Sequence, residues 1–186
     1  MPGKTKLAKI QKTLGYQFSN ENLLRQAFTR KSFASINKQQ SNEVLEFYGD
    51  RILNFIVIKE FCNNYGSLDN NFELVSSKTV KELSSFNVEL VRNTTLAQQI
   101  LNLNFANLIR VRYKQERNTL KHRADLFEAI LGAVALDSNW NLDSMETVYK
   151  NMMKGYNEVP EENIKPYTPG DGILKLIISR YKMYCI

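Results

Sequence analysis

The chain has 186 residues, of which 43% are hydrophobic and 24% are charged, and these proportions exclude an intrinsically disordered protein. Its formal net charge of +6 favours a polyanionic partner, either nucleic acid or an anionic membrane surface, without selecting between them. No apolar run approaches the ~20 residues that span a bilayer, and Cys62 and Cys185 form neither a disulfide framework nor a metal-binding spacing. We therefore expect an intracellular protein, in the cytoplasm or the nucleus.

Helical patterns fill almost the whole chain. A first helix places its apolar residues on one face and stops at Gly15, and a second begins after Ser19 or Asn20 as its N-cap. No segment alternates convincingly between apolar and polar residues, so the predicted fold class is all-α. The further predicted helices cover residues 42–64, "ELVSSKTVKELSS", "NVELVRNTTLAQQILNL", residues 124–136 and "LDSMETVYKNMMK".

The composition changes after residue 155. Three of the four prolines fall in "NEVPEENIKPYTPGDG", which predicts a linker over residues 156–172 behind a main domain of residues 1–155. Residues 173–186 carry apolar side chains at helical spacing and predict a last helix. Its apolar face would pack either on the main domain or within a further module.

Two of the predicted helices carry acids in apolar surroundings. The stretch "NEVLEFYGD" places Glu43, Glu46 and Asp50 at i, i+3 and i+7, and "RADLFEAILGAVALD" places Asp125 and Glu128 at i and i+3. Desolvated carboxylates are costly unless they are paired or bound to a cation. If the two helices cross at these points the acids converge, and a set of oxygen ligands without His or Cys suits Mg²⁺ or Mn²⁺ rather than Zn²⁺.

The acids also have an ordinary explanation. They could form solvated helix faces, with Arg51 and Lys59 as ion-pair partners. Gly49 and Gly132 favour the crossing, because a glycine inside a helix costs roughly 1 kcal/mol relative to alanine, and a close neighbouring backbone would explain that cost. The alternative is that both glycines are merely tolerated.

A basic segment, "RVRYKQERNTLKHR", lies directly before the second acidic pair. Anionic metal ligands beside a cationic strip suggest a phosphate-bearing substrate, although an ordinary solvated loop has the same composition. His122, the only histidine, is predicted to be a solvated residue of this loop, which argues against histidine-based catalysis. The candidate RNA-binding residues are Arg110, Arg112, Lys114, Arg117, Lys121 and Arg123.

Four segments together resemble the ribonuclease III family. "NEVLEFYGD" is similar to the family signature Asn-Glu-x-Leu-Glu-Phe-Leu-Gly-Asp, and "ADLFEAILGAVALD" is similar to its second acidic motif. "LLRQAFTRKSF" and "LVRNTTLAQQILNLNFANLIRV" resemble the segments that lie before and between those motifs. The resemblance runs in order over residues 7–154, which makes a chance match very improbable.

The resemblance implies an all-α, homodimeric endonuclease domain that hydrolyses double-stranded RNA with Mg²⁺, for which Mn²⁺ substitutes. The products would carry 5′-phosphate and 3′-hydroxyl ends with short 3′ overhangs, in RNA processing or RNA silencing. Glu43 matches a supporting acid, and Phe47 matches an aromatic residue at the dimer interface. The positions that match the catalytic, metal-binding acids of the family are Glu46, Asp50, Asp125 and Glu128.

Some positions depart from the family pattern. Tyr48 and Arg51 stand where the signature has leucine and a small residue, and Arg30 stands where Thr-His-x-Ser has its histidine. A further acid of some relatives aligns with Asn71, with Glu73 nearby. Relatives often carry a C-terminal domain that binds double-stranded RNA, and residues 173–186 look like its truncated start.

Two other functions remain compatible with the sequence. A non-catalytic ribonuclease-III-like protein would bind RNA or act as a scaffold, and it would be marked by the loss of a catalytic acid, whereas all four are present. A nuclease that depends on a partner subunit would be inactive alone. A cleavage assay separates the first alternative from an active enzyme, and sedimentation of the purified chain tests the second.

Overall fold

A computed structural model describes residues 4–156, whose regular secondary structure is helical apart from one small hairpin. The helices are α1 (Lys4–Leu14), α2 (Glu21–Ala27), α3 (Lys31–Asn37), α4 (Glu43–Tyr65), α5 (Val80–Val91), α6 (Asn93–Asn102), α7 (Leu120–Asp137) and α8 (Leu142–Met152). Strands β1 (Gly66–Leu68) and β2 (Leu74–Ser76) pair antiparallel between α4 and α5. The predicted all-α class is confirmed. The predicted last helix, and the linker from residue 157 onward, lie outside the described residues.

The ends of the first two helices follow their local sequence. Gly15 ends α1 with φ of +66°, a left-handed conformation that favours glycine. Asn20, rather than Ser19, is the N-cap of α2, because its side chain accepts a hydrogen bond from the backbone N–H of Asn22. Within residues 4–156, no helix is long and apolar enough to cross a membrane.

The region between α4 and α6 differs from its prediction. The segment expected to begin a helix at Glu73 forms β2 instead, and α5 begins only at Val80, behind a capping box between Thr79 and Glu82. That box satisfies backbone groups at a specific point and so sets where the helix starts. The next predicted helix is divided at Arg92, whose backbone is extended between α5 and α6. The short helix α3 and the hairpin have too few residues to show a clear period.

Helix α7 forms the centre of the fold, where it contacts α2, α4, α6 and α8. Its residues from Ala124 to Ala135 are buried with the sole exception of Glu128, as expected for a helix that is apolar around its whole circumference. The ionisable side chains on this helix therefore stand out against its otherwise apolar surroundings.

Helices α4 and α7 cross in direct backbone contact. A Cβ atom added to Gly49 would stand 1.7 Å from the Glu128 carbonyl oxygen, and one added to Gly132 would stand 2.1 Å from the Leu45 carbonyl oxygen. Both distances are far below van der Waals contact, so only glycine fits at either point. The predicted close approach is confirmed, and it places the acidic face of α4 against the acidic face of α7.

Candidate functional site

The crossing of α4 and α7 leaves an open pocket of about 520 Å³. All five acids singled out in the sequence line it, together with two cations, one aromatic residue and one amide. The lining residues are Arg30, Glu43, Glu46, Phe47, Asp50, Asn93, Lys121, Asp125 and Glu128.

Three of the acids form a tight cluster. Glu46, Asp125 and Glu128 each contribute one carboxylate oxygen, and these oxygens lie within 4.8 Å of one another. Asp125 is buried, and the other two side chains are half-buried. Because hard divalent cations prefer oxygen ligands, the donor set fits such an ion and does not by itself distinguish one metal from another.

The other two acids lie at the edge of the pocket. Asp50 forms an ion pair with Arg51 and accepts a hydrogen bond of 3.1 Å from the Asn54 side chain. Glu43 is exposed and pairs with Lys31 at 3.1 Å. The three-acid cluster therefore includes three of the four predicted catalytic acids, with Asp50 beside it.

Two cations reach into the cluster from opposite sides of Asp125. Nη1 of Arg30 lies 2.6 Å from Oδ2 of Asp125 and 3.7 Å from Oε2 of Glu46. Nζ of Lys121 lies 2.9 Å from Oδ1 of Asp125 and 3.4 Å from Oε1 of Glu46. Asp125 thus has a cation on each of its two oxygens.

The ordinary explanation of the acids is wrong for the cluster. Neither Arg51 nor Lys59 reaches it, since Arg51 pairs with Asp50 and Lys59 pairs with Glu146 on α8. The ion-pair partners of Asp125 are instead Arg30, which precedes α3, and Lys121 on α7.

Burial and the convergence of the acids raise the pKa of Glu128 and of Glu46. Burial raises the pKa of Glu128 to about 8, and the negative charges of Asp50, Asp125 and Glu46 add to that effect. Burial also raises the pKa of Glu46, as does neighbouring Asp125, although Lys121 and Arg30 partly offset the increase. A bound divalent cation would favour the ionised form of both groups.

The basic segment is more structured than its sequence suggests. Residues Lys114–Asn118 form a short 3-10 helix, and α7 begins soon afterwards at Leu120. Nε of Arg117 donates to the carbonyl oxygen of Ile109 at 2.8 Å, and Nε of Arg123 donates to that of Arg117 at 3.0 Å. These two guanidinium groups help to hold the segment together.

The remaining cations of the segment are differently placed. Arg110 donates to Thr29 and Gln39 and stacks over Phe33, whereas Arg112 and Lys114 are exposed. Their predicted contact with RNA stays a prediction.

The prediction for His122 is wrong. This residue belongs to α7 and is half-buried, with its ring Nδ1 2.8 Å from the carbonyl oxygen of Glu116. The loop reading failed because α7 begins at Leu120, four residues before the predicted start.

Phe47 is exposed at 60% of its surface on the outer side of α4, beside the pocket. The guanidinium of Arg51 lies 5.4 Å from the centre of its ring. Other apolar side chains are exposed on the same helix, namely Val44, Tyr48, Phe55 and Ile58. An interface role for this surface stays a prediction.

Two residues that line the pocket were not predicted to belong to the site, namely Arg30 and Asn93. Arg30 was visible only as a departure from a family pattern, and no local period indicated that it would reach Asp125. Asn93, the first residue of α6, lines the pocket because the chain turns at Arg92. Both depend on tertiary contacts between segments far apart in sequence.

Comparison with known proteins gives a consistent result. A family model described as ribonuclease-III-like matches residues 20–156. Two proteins named ribonuclease 3 are similar to the chain: that of Treponema succinifaciens is 42% identical over 77% of the chain, and that of Roseburia hominis is 40% identical over 74%. The aligned region covers only 40% and 43% of these two relatives.

Solved structures show the same likeness. The chain is similar to the nuclease domain of ribonuclease III from Campylobacter jejuni, with a TM-score of 0.67, 25% identity, and coverage of 86% of this chain and 100% of that one. A second structure of that domain, described as flexible in a region involved in dimer formation, has a TM-score of 0.65 and 26% identity, covering 81% of this chain and 98% of that one.

Proposed function

The chain belongs to the ribonuclease-III-like family, and from this membership we propose that it is an endoribonuclease that hydrolyses double-stranded RNA at the pocket between α4 and α7. The single observation that carries the proposal is the cluster of Glu46, Asp125 and Glu128 within 4.8 Å. Such a cluster in a largely apolar helix crossing opposes stability and is explained by cation binding.

The residues present fit a divalent cation, for which we propose Mg²⁺, with Mn²⁺ as a substitute. Glu46, Asp125 and Glu128 would hold it, and Asp50 would contribute from the edge of the pocket. When bound, it would supply Lewis acidity for the attack of water on the phosphodiester and for the departure of the 3′ oxygen. The products would carry 5′-phosphate and 3′-hydroxyl ends.

Exposed cations of the basic segment support substrate binding. Arg112 and Lys114 are exposed on the basic segment and can contact phosphates without reading sequence. Lys121 is also largely exposed, at 66% of its side chain. Duplex RNA is recognised mainly by its shape and its 2′-hydroxyl groups, so we expect little sequence preference. We propose that the enzyme acts in RNA processing or RNA silencing.

We also propose a homodimer formed through the exposed apolar surface of α4 around Phe47. Five large apolar or aromatic side chains are exposed on that helix, and such a contiguous surface is typical of an interaction site. In a twofold dimer the two pockets would be related by symmetry. Cuts on opposite strands would then be staggered and leave short 3′ overhangs.

The test is cleavage of end-labelled duplex RNA by the purified chain, in Mg²⁺ and in EDTA, read on a denaturing gel. We expect Mg²⁺-dependent cuts, and a loss of at least about 100-fold in Glu128→Gln, since removing a group that stabilises charge in the transition state costs on the order of 10²–10³ in rate. Asp143→Asn is the matched control, because Asp143 is an exposed acid at the start of α8.

Two outcomes would contradict the proposal. Cleavage by Glu128→Gln at the wild-type rate would exclude Glu128 from the site. A wild-type chain that shifts duplex RNA on a native gel but never cuts it would favour the non-catalytic RNA-binding or scaffold protein instead.

A further inference from the structure

Arg30 is held rigidly by backbone contacts on both sides. Its N–H donates to the carbonyl oxygen of Arg110 at 3.0 Å, and the preceding residue, Thr29, forms a parallel bridge with Arg110. The carbonyl oxygen of Thr29 accepts from the N–H of Asn42 at 2.8 Å, directly before α4. The segment that carries Arg30 is therefore fixed next to the first turn of α4, where Glu46 lies.

The two cations at the cluster differ sharply in exposure. The side chain of Arg30 is 13% exposed and that of Asp125 only 3%, whereas the side chain of Lys121 is 66% exposed. A flexible, solvated ammonium can move away from Asp125 at little cost. A guanidinium that is largely buried and anchored at its backbone has no comparable alternative position.

These contacts bear directly on how the site would take up a metal ion. Arg30 faces Oδ2 of Asp125 and Lys121 faces Oδ1, so an ion that binds Asp125 meets a positive charge of the chain at either oxygen. Lys121 is the one that can leave. Arg30 would keep its charge beside Asp125 and Glu46, and like charges repel strongly in a partly buried site.

We propose that Arg30 is an internal counter-cation that competes with the divalent ion for Asp125 and Glu46, and so sets the ion concentration at which the site fills. The inference rests on the proposed metal-dependent function. It assigns Arg30 to the regulation of metal affinity, as a residue that acts through Asp125 rather than by touching RNA. Its low exposure also separates it from Arg112 and Lys114, which are exposed on the surface.

A purely positioning role for Arg30 predicts the opposite result. If the guanidinium served only to orient Asp125, its removal would let that carboxylate rotate, and the affinity for metal would fall. If it competes with the ion, its removal raises the affinity. The sign of the change therefore decides between the two roles.

The experiment is calorimetric titration of the purified 186-residue chain with MnCl₂ and with MgCl₂ in metal-free buffer, without RNA. Arg30→Gln removes the charge but keeps an amide that can donate to Asp125, and Arg30→Met removes charge and donor while keeping the apolar stem. We expect the Kd for Mn²⁺ to fall by about tenfold or more in Arg30→Gln, which corresponds to ~1.4 kcal/mol. Arg30→Lys, which restores the charge, should return to within about threefold of the wild type.

Lys31→Gln is the matched control. It removes one positive charge at the next residue in the chain, where Lys31 pairs with the exposed Glu43 at 3.1 Å. Because exposed charges are screened, this variant should leave the Kd for Mn²⁺ unchanged within about twofold. If charge is the cause, Arg30→Met should change the Kd for Mn²⁺ in the same direction as Arg30→Gln. If one of the two variants fails to fold, the other still decides between the two roles.

The outcomes separate the inference from the function on which it rests. A wild-type chain that binds Mn²⁺, with Arg30→Gln equal or weaker, overturns the competition and leaves the metal-dependent nuclease intact. Failure of both proteins to bind Mn²⁺ overturns the metal-dependent function and the inference together. Asp125→Asn should abolish the binding signal, and persistence of that signal would place the metal elsewhere and also overturn the inference.

Discussion

The acids of the cluster differ in how their charges are balanced. Asp125 and Glu46 face Arg30 and Lys121 at distances of 2.6–3.7 Å. At Glu128, burial and three neighbouring acids raise the pKa to about 8. Two of the acids are thus balanced by cations of the chain, whereas the surroundings of the third favour its protonated form.

The difference shows how a helix crossing can carry a dense acidic cluster and still fold. Three carboxylates within 4.8 Å would repel strongly if all were ionised and unpaired. Arg30 and Lys121 supply positive charge beside the most buried acid, Asp125, and burial favours the protonated form of Glu128. A divalent ion would displace the proton of Glu128 and compete with the cations of the chain, since its charge favours the ionised form of every acid it contacts.

The largest effect should come from forcing apart α4 and α7, the two helices that carry the acids. Gly49 and Gly132 are the points at which α4 and α7 touch, so Gly132→Ala and Gly49→Ala would each force a methyl group into a backbone carbonyl. We expect the free energy of unfolding to fall by about 3 kcal/mol or more, as for severe overpacking. Denaturation in urea, followed by circular dichroism, measures the change.

Gly155→Ala is the control for these substitutions. Gly155 has φ of +88° but no heavy atom within 4 Å of an added Cβ, so only backbone strain of about 1 kcal/mol is expected. If Gly132→Ala cost no more than Gly155→Ala, the helices would not be held at the observed distance.

Isosteric changes at Asp125 and at Glu128 should have opposite effects on the stability of the metal-free protein. Asp125→Asn leaves the buried guanidinium of Arg30 without its closest counter-charge, and we expect a loss of about 2 kcal/mol. Glu128→Gln removes a carboxyl whose ionisation the fold disfavours, and we expect a gain of about 2 kcal/mol at pH 8.5, a value reduced for partial exposure to solvent. Urea denaturation in EDTA compares the two variants.

The stability of Glu128→Gln relative to the wild type should depend on pH, because the pKa of Glu128 is raised in the folded chain. The pKa of Glu128 rises from the usual 4.5 to about 8 in the folded chain, so protonation of this group stabilises the folded state. That contribution is complete below pH 4.5 and is lost as the pH rises towards 8. Since glutamine cannot ionise, the advantage of the variant should grow between these values and then level off. A constant difference across the whole range would show that Glu128 is not the group responsible.

Much of this fold is predictable because its helices are long and strongly patterned. The bounds of α4 follow from its apolar run, and the acids at residues 46, 50, 125 and 128 were singled out by their position within apolar helices. The hairpin of β1 and β2 was missed because strands of three residues are too short to show an alternating pattern. The start of α5 depended on the capping box at Thr79, which outweighed the helical pattern before it.

The cations of the site could not be predicted in the same way. Asp125 and Glu128 are neighbours on one helix, so their spacing alone places them together. Arg30 meets Asp125 across 95 residues of sequence, through a bridge between Thr29 and Arg110 that no local period encodes. The basic segment showed where positive charge was concentrated but not that Lys121 would turn towards the acids.

The smallest effect should come from the exposed ion pair between Arg51 and Asp50, at the edge of the pocket. Arg51 pairs with Asp50, but their side chains are 67% and 36% exposed, so water and salt screen the attraction. We expect Arg51→Ala to lower the free energy of unfolding by less than about 0.5 kcal/mol, and less again at about 0.5 M NaCl. A loss above about 1 kcal/mol that persisted in salt would mean that Asp50 is held as firmly as Asp125.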